Sequence, residues 1–342
     1  MTVIALDAMG GDFAPRATVA GAVRALRGGV AEVLLVGDEA RLAPELARHR
    51  HDPSRVRIVH TPDSVAMDDA ASAVLRDKPR ASVRLACELV ARGEAGAAVS
   101  AGNSGALMVA AKHALGMVPG VERPAIATAL PLKRGAAILL DSGANVDCKP
   151  AFLLQFARMG ALYARQVLDV DRPRVALLSN GAEPGKGNDL VRRAYALLQA
   201  APLDFVGNLE ARDLLRGRAD VIVCDGFVGN LVLKTAEGIG QQLRLLTRET
   251  LTRSVLGWIG YLLMRRLFTE LARRTDYREV GGSPLLGLNG VVIVCHGSSQ
   301  ARTIAGGIAM AARCVEAGLI RALAEQWGGG SEAAPAAAHG AG

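Results

Sequence analysis

The stretch Ala97-Ala98-Val99-Ser100-Ala101-Gly102-Asn103-Ser104-Gly105 decides how this chain is read. A run of small apolar residues stops at Ser100, turns through Gly102 and Asn103, and opens into an apolar segment of helical length. The order is strand, polar loop, helix. Working outward, residues 3–6 lead into Asp7-Ala8-Met9-Gly10-Gly11-Asp12, and residues 136–140 into Asp141-Ser142-Gly143-Ala144-Asn145. Residues 175–178 give way to Ser179-Asn180-Gly181, residues 221–224 to Asp225-Gly226, and residues 291–295 to His296-Gly297-Ser298-Ser299. Between them, residues 17–26, 82–92, 152–168, 189–200 and 302–316 repeat apolar positions with helical periodicity. This alternation predicts an α/β chain, a Rossmann-like layered fold with a largely parallel sheet flanked by helices. The polar loops then share the carboxyl edge of the strands, where such sheets bind ligands.

Composition narrows the class. The 342 residues are half hydrophobic but only 4% aromatic, so the core must be built from Ala, Val, Leu and Ile. We expect residues 1–327 to form a single α/β catalytic domain, with 241–278 a protruding basic apolar helical segment and 328–342 a disordered Gly/Ala tail. The start, MTVIALDAMGG, has no basic n-region or signal-length apolar stretch, which points to a cytoplasmic protein. Five cysteines with no CxxC pair argue against a disulfide framework or structural zinc and for a reducing compartment.

Several familiar sites are missing. There is no GxGxxG dinucleotide fingerprint and no HExxH or other metal-ligand spacing. The run Gly181 to Gly187 is one residue short of a Walker A loop, and Gly187 replaces its Mg-binding hydroxyl. Gly102-Asn103-Ser104-Gly105 lacks the GxSxG spacing of a nucleophile elbow. What remains is a set of loops rich in backbone N–H groups that open into helices. Unpaired N–H groups and the helix dipole together favour an anion there. Asn103-Ser104-Gly105 and Gly187-Asn188 occupy such positions, and Lys186 adds a positive charge beside the second. The alternative is that these residues only make turns. Cys148 has no His near it in sequence to activate it as a nucleophile. His296 is a candidate acid, base or ligand contact, or a hydrogen-bonded loop residue. Asp7 and Asp225 either orient a neighbouring group or close an Asx turn.

These loops, taken together and in this order, resemble the bacterial phosphate acyltransferases of phospholipid synthesis. The resemblance rests on Ile4 to Asp12 with Pro15, Val99 to Ala106, Asp141 to Asn145, Gly185-Lys186-Gly187-Asn188, Cys224 to Asn230 with Lys234, and Val294 to Ser299. It covers about residues 1–325, and Asp77-Lys78-Pro79-Arg80-Ala81-Ser82 departs from the family's usual Lys/Asp/Ser-Ser run. It implies a fold similar to that of phosphotransacetylases and isocitrate-dehydrogenase-like enzymes, working as a homodimer without metal or organic cofactor. It also implies the reaction of acyl-[acyl carrier protein] with inorganic phosphate, giving acyl phosphate and free carrier protein. The acyl phosphate would then feed a membrane glycerol-3-phosphate acyltransferase. On that reading Lys186, Ser104 and Gly105 bind phosphate, with Gly187, Asn188, Asp7, Gly10 and Gly11 around it. Asn230, joined by Asn103, would donate to the thioester oxygen, and His296 or Asp225 would tune or orient these groups. A phosphotransacetylase acting on acyl-CoA remains an alternative, as does a non-catalytic membrane scaffold for lipid enzymes.

The formal charge of +7 is unevenly spread: residues 241–278 hold eight Arg and three acidic residues. Within them, residues 255–264 (VLGWIGYLLM) are half the length of a spanning helix, with Arg253, Arg265 and Arg266 outside and Trp258, Tyr261 and Leu262 inside. That profile suits a helix lying in the inner face of the cell membrane, or one meeting the acidic carrier protein. The competing reading is a helix buried against a second subunit. No nucleic-acid signature accompanies the basic residues.

Overall fold

The computed structural model describes residues 2–132, 135–254, 257–264, 266–267 and 281–328. Its strands in chain order are β1 (Val3–Asp7), β2 (Glu32–Gly37), β3 (Val56–His60), β4 (Ala97–Ser100), β5 (Ala125–Ile126), β6 (Thr128–Pro131), β7 (Ala136–Leu140), β8 (Arg174–Ser179), β9 (Asp204–Glu210), β10 (Val221–Val223), β11 (Ser283–Leu286) and β12 (Val291–Val294). The helices are α1 (Arg16–Arg27), α2 (Glu39–Ala47), α3 (Ala73–Arg76), α4 (Ser82–Ala91), α5 (Ser104–Leu115), α6 (Pro150–Leu168), α7 (Asp189–Ala200), α8 (Gly226–Thr252), α9 (Ala301–Glu316) and α10 (Leu319–Gly328).

The strands form two sheets where one was expected. The first runs β3-β2-β1-β4-β12-β11-β5 and the second β6-β7-β10-β8-β9. Parallel pairs dominate both, and the antiparallel ones are confined to β12–β11–β5 and β6–β7. The chain changes sheet at Ala127. Ile126 ends β5 against Leu285, and Thr128 begins β6 against Leu139. This segment, Ala125-Ile126-Ala127-Thr128-Ala129-Leu130-Pro131, is short and mixed, and it carries no strand signal of the strength seen at β1 or β4.

The expected strands and helices are found within a residue or two. β1 and β4 are buried along nearly their whole length, as continuous apolar runs in a parallel sheet should be. The core is aliphatic, and Tyr163 and Phe156 on α6 are its largest fully buried side chains. Pro150 opens α6 at a position where a missing N–H costs nothing. The helix then buries Phe152, Leu153, Phe156, Met159, Tyr163 and Val167. Gly328 ends α10 instead of starting a tail. The rest of that expected tail, 329–342, lies outside the described residues, as do 255–256, 265 and 268–280 of the basic segment.

Close approach of α1 to α9 depends on Gly21. A Cβ there would fall 2.6 Å from both Cβ and Cγ2 of Ile304, a branched side chain with little freedom to move. Ala gains helix propensity of about 1 kcal/mol but overpacks this contact. We expect Gly21→Ala to lower unfolding free energy by about 1–3 kcal/mol, measured by urea denaturation.

Candidate functional site

At the carboxyl edge of the seven-stranded sheet, three loops touch through their backbones. The Asp12 N–H donates to Gly297 O at 2.9 Å, joining the loops after β1 and β12. A Cβ on Gly10 would lie 2.8 Å from the Gly102 nitrogen, and Gly11 adopts φ +104° against Ala101 and Gly297. Gly10 and Gly11 are thus explained by loop-to-loop packing. Asp7 is buried beneath them and accepts from Ser82 Oγ and Ser100 Oγ, both at 2.6 Å.

Helix α5 begins at this edge. Asn103 is its N-cap: Oδ1 accepts from Ala106 N–H at 3.0 Å, while Nδ2 donates to the carbonyls of Met67 and Asp69. All of its amide groups are occupied, so Asn103 is corrected from a thioester-oxygen donor to a cap that also ties down residues 67–69. Ser104 is exposed, Gly105 lies 3.1 Å from the Ala71 methyl by its would-be Cβ, and the first turn of α5 carries no acidic side chain.

The carboxyl edge of the five-stranded sheet is organised by Asp141. Its Oδ1 accepts from the N–H groups of Ile126, Gly143 and Ala144, and its Oδ2 from the N–H and Nδ2 of Asn145. Asp225 caps α8 by accepting from Val228 N–H at 2.8 Å. Asn188 likewise caps α7 through Val191 N–H at 2.9 Å. The catalytic role expected of Asp225 and the ligand role expected of the Asn188 side chain therefore give way to capping. Gly187, at φ +99°, is required because a Cβ would run into Val191. Asp189 in the first turn of α7 already offsets that helix's positive end. As an anion site, the start of α7 is poorer than the start of α5.

Lys186 is exposed, its stem lying over Gly181 beside the Glu183 carboxylate. Asn230 is exposed on α8 and faces the Gly143 turn at about 3.6–3.9 Å from the would-be Cβ. One turn further along α8, Lys234 Nζ donates to Glu237 Oε2 at 3.0 Å and lies 3.1 Å from His296 Nε2. His296 follows β12, so this contact joins the loop layer of the first sheet to the helix leaving the second. Ser104 and Lys186, expected to share one phosphate, follow β4 and β8, which belong to different sheets. Among the described residues no hydrogen bond links Lys186 to Asn230, Lys234 or His296.

Burial at this edge disfavours the thiolate form of its cysteines. Burial pushes the Cys148 thiol up to about 12, helped by the Asp141 and Asp225 charges. Burial alone does the same for Cys295. Burial also raises the Asp7 carboxyl above its ordinary 3.8, against the pull of Ser100, Ser82 and two backbone N–H groups. Among the described residues no group of three His, Cys, Asp or Glu side chains is placed to hold a metal.

A family profile described as fatty acid synthesis protein matches residues 2–322. A phosphate acyltransferase of Moorella thermoacetica is 49% identical over 329 residues, covering 96% of this chain and 97% of that protein. Another, from Acidobacterium capsulatum, is 48% identical over 340 residues and covers 99% of each. The chain belongs to the phosphate acyltransferase family. Its members are acyl-transferring enzymes, and this chain is one. The fold of this phosphate acyltransferase is shared with a phosphotransacetylase from Streptococcus pyogenes, at TM-score 0.62 and 19% identity over 92% of this chain and 94% of that one. A branched-chain phosphotransacylase from Enterococcus faecalis gives TM-score 0.57 and 16% identity, covering 92% and 99%.

Sequence reading missed Asp141 and Glu237 as individual residues, and noted Lys234 only as part of a matching run. Nothing in the spacing of Lys234 and His296, 62 positions apart, could pair them. Asp7 supplies a testable consequence. A carboxyl whose folded pKa is raised binds its proton more readily when folded. Its stabilising contribution is complete below the ordinary 3.8 and is lost as pH rises through the folded value. The stability advantage of the natural protein over Asp7→Asn should therefore shrink as pH rises above 4, by up to about 1.4 kcal/mol per pH unit until the folded carboxyl has ionised. Urea denaturation of both proteins across the range measures it.

Proposed function

We propose that this enzyme moves a fatty acyl group from acyl-[acyl carrier protein] to inorganic phosphate, giving acyl phosphate for phosphatidic acid synthesis. The observation that carries this reading is the near full-length match to proteins named phosphate acyltransferase. The site agrees with it chemically. A phosphate oxygen is itself the nucleophile, so the protein needs no elbow serine and no activated cysteine. It must hold an anion beside a thioester and offer donors to the oxygen that becomes negative.

Phosphate binds at the start of α5, where Ser104 and Gly105 stand in a first turn without an acidic neighbour. Lys186, exposed on the loop after β8, supplies the positive charge for it. Asn230 donates its amide to the thioester oxygen. Asp7, Asp141, Asp225, Asn103 and Asn188 keep the loops in shape and do not meet the substrate. Incubating the enzyme with acyl-carrier thioester, with and without phosphate, and trapping acyl phosphate as hydroxamate tests the reading. Product should form only with phosphate. Asn230→Ala should lose about 10²-fold in kcat, as expected for one oxyanion donor. Lys186→Ala should chiefly raise the KM for phosphate. Near wild-type turnover and phosphate KM in both folded variants would exclude these assignments.

We also propose that the enzyme is a homodimer in the cytoplasm that rests on the inner face of the membrane, near the glycerol-3-phosphate acyltransferase that uses its product. Among the described residues no single helix is long and apolar enough to cross a membrane. Helical residues 257–264 expose Trp258, Ile259, Leu262 and Leu263, the last 80% accessible, with Arg253 and Arg266 nearby. Tyr261 is half-buried, and Arg265 lies outside the described residues. Apolar side chains with aromatics and Arg beside them suit an interface between lipid and water. The protein should sediment with anionic liposomes at low salt, and the pair Leu262→Glu, Leu263→Glu should abolish sedimentation. Recovery of the double variant with the vesicles would count against lipid contact at this segment.

A further inference from the structure

We propose that Lys234 is the proton donor to the departing sulfur, held ready by His296 and Glu237. The proposal rests on the phosphate acyltransferase reading of the same site.

Asn230, Lys234 and Glu237 recur at four- and three-residue spacing on α8, so they share one face of the helix. Asn230 stands over the Gly143 turn, and Lys234 reaches across to His296 on the other sheet. A thioester whose carbonyl oxygen meets Asn230 thus has Lys234 one helical turn away, on the side of the seven-stranded sheet. The Lys234 side chain is 51% accessible, open to a ligand, whereas Glu237 is 11% accessible and anchors it.

His296 sits between Ser298 and the lysine. Its Nδ1 lies 2.8 Å from Ser298 Oγ, and its Nε2 lies 3.1 Å from Lys234 Nζ and 3.9 Å from Glu237 Oε1. With Nδ1–H donating to Ser298 Oγ, Nε2 is bare and accepts from Lys234. Once Lys234 has given up one proton, its two remaining N–H groups still serve Glu237 Oε2 and His296 Nε2.

In the reaction, a phosphate oxygen forms a bond to the thioester carbon and the C–S bond breaks with its electron pair on sulfur. Lys234 passes a proton to that sulfur and keeps two N–H groups for Glu237 and His296. The P–OH proton released as hydrogen phosphate becomes acyl phosphate restores the ammonium. Protons and electrons balance with no further reactant.

Leaving-group dependence separates this role from a structural one. Aryl thiols are stronger acids than alkyl thiols, and a sulfur that is a weaker base leaves without a proton. We would measure acyl phosphate formation from an S-acyl pantetheine and from the matching S-phenyl thioester. Lys234→Ala should lose about 10²-fold or more in kcat on pantetheine, within the range of general acid catalysis, and much less on the phenyl ester. Lys234→Arg keeps the cation but holds its proton, and it should follow Ala on pantetheine. Equal losses on both thioesters, or full activity of either variant on pantetheine, overturns the proposal. If the natural enzyme made no acyl phosphate from either thioester or from acyl-carrier protein, the proposed function itself would fall, and this role with it.

Discussion

A buried carboxylate tolerates loss of water only when hydrogen-bond donors replace it, and Asp141 shows how much structure such a demand can organise. Five protein donors converge on its two oxygens. One is the N–H of Ile126, the last residue of the seven-stranded sheet's edge strand. The others belong to the turn that follows β7 in the five-stranded sheet. One side chain therefore fastens one sheet to the loop layer of the other. The Thr128, Ser142 and Ser283 hydroxyls continue the seam, with contacts of 2.7 and 2.9 Å.

The start of α8 depends on the same point. Gly226 approaches Asp141 Oδ2 so closely that a Cβ would sit 2.8 Å away, and Gly229 packs on the Asp141 carbonyl. Any side chain at these positions would push α8 off the turn. Since α8 carries Asn230 and Lys234, the placement of both follows from how the Asp141 turn is built. The pattern repeats at the other edge, where Asp7 gathers Ser82 and Ser100 beneath touching glycine loops. Buried acids and glycines shape the backbone, and amide, ammonium and hydroxyl groups stay exposed beside it. That division suits acyl transfer to phosphate, in which the protein orients and polarises while the substrate supplies the nucleophile.

Legibility in the sequence followed the range of the interaction. Continuous apolar runs marked β1, β4, β7, β8, β10 and β12 because burial on both faces leaves no polar position inside a strand. The loops at the strand ends were legible for the same reason, each beginning where such a run stops. The roles of their residues were less visible. Asn103, Asn188 and Asp225 read equally well as ligand groups and as caps, and capping is what their side chains do. The split into two sheets turned on Ala127, a small residue in a segment with no periodicity to count.

By itself, then, the sequence determined the class of fold and the family, through motifs kept in order along the chain. These are local matters, set by hydrophobic period, turn residues and short spacings. Tertiary structure decided which loops meet. It put Ser104 and Lys186 after strands of different sheets, occupied the Asn103 amide, and brought Lys234 to His296 across 62 positions. Such pairings depend on where whole sheets pack and how a buried carboxylate gathers its donors, and no periodicity in a linear sequence encodes that distance.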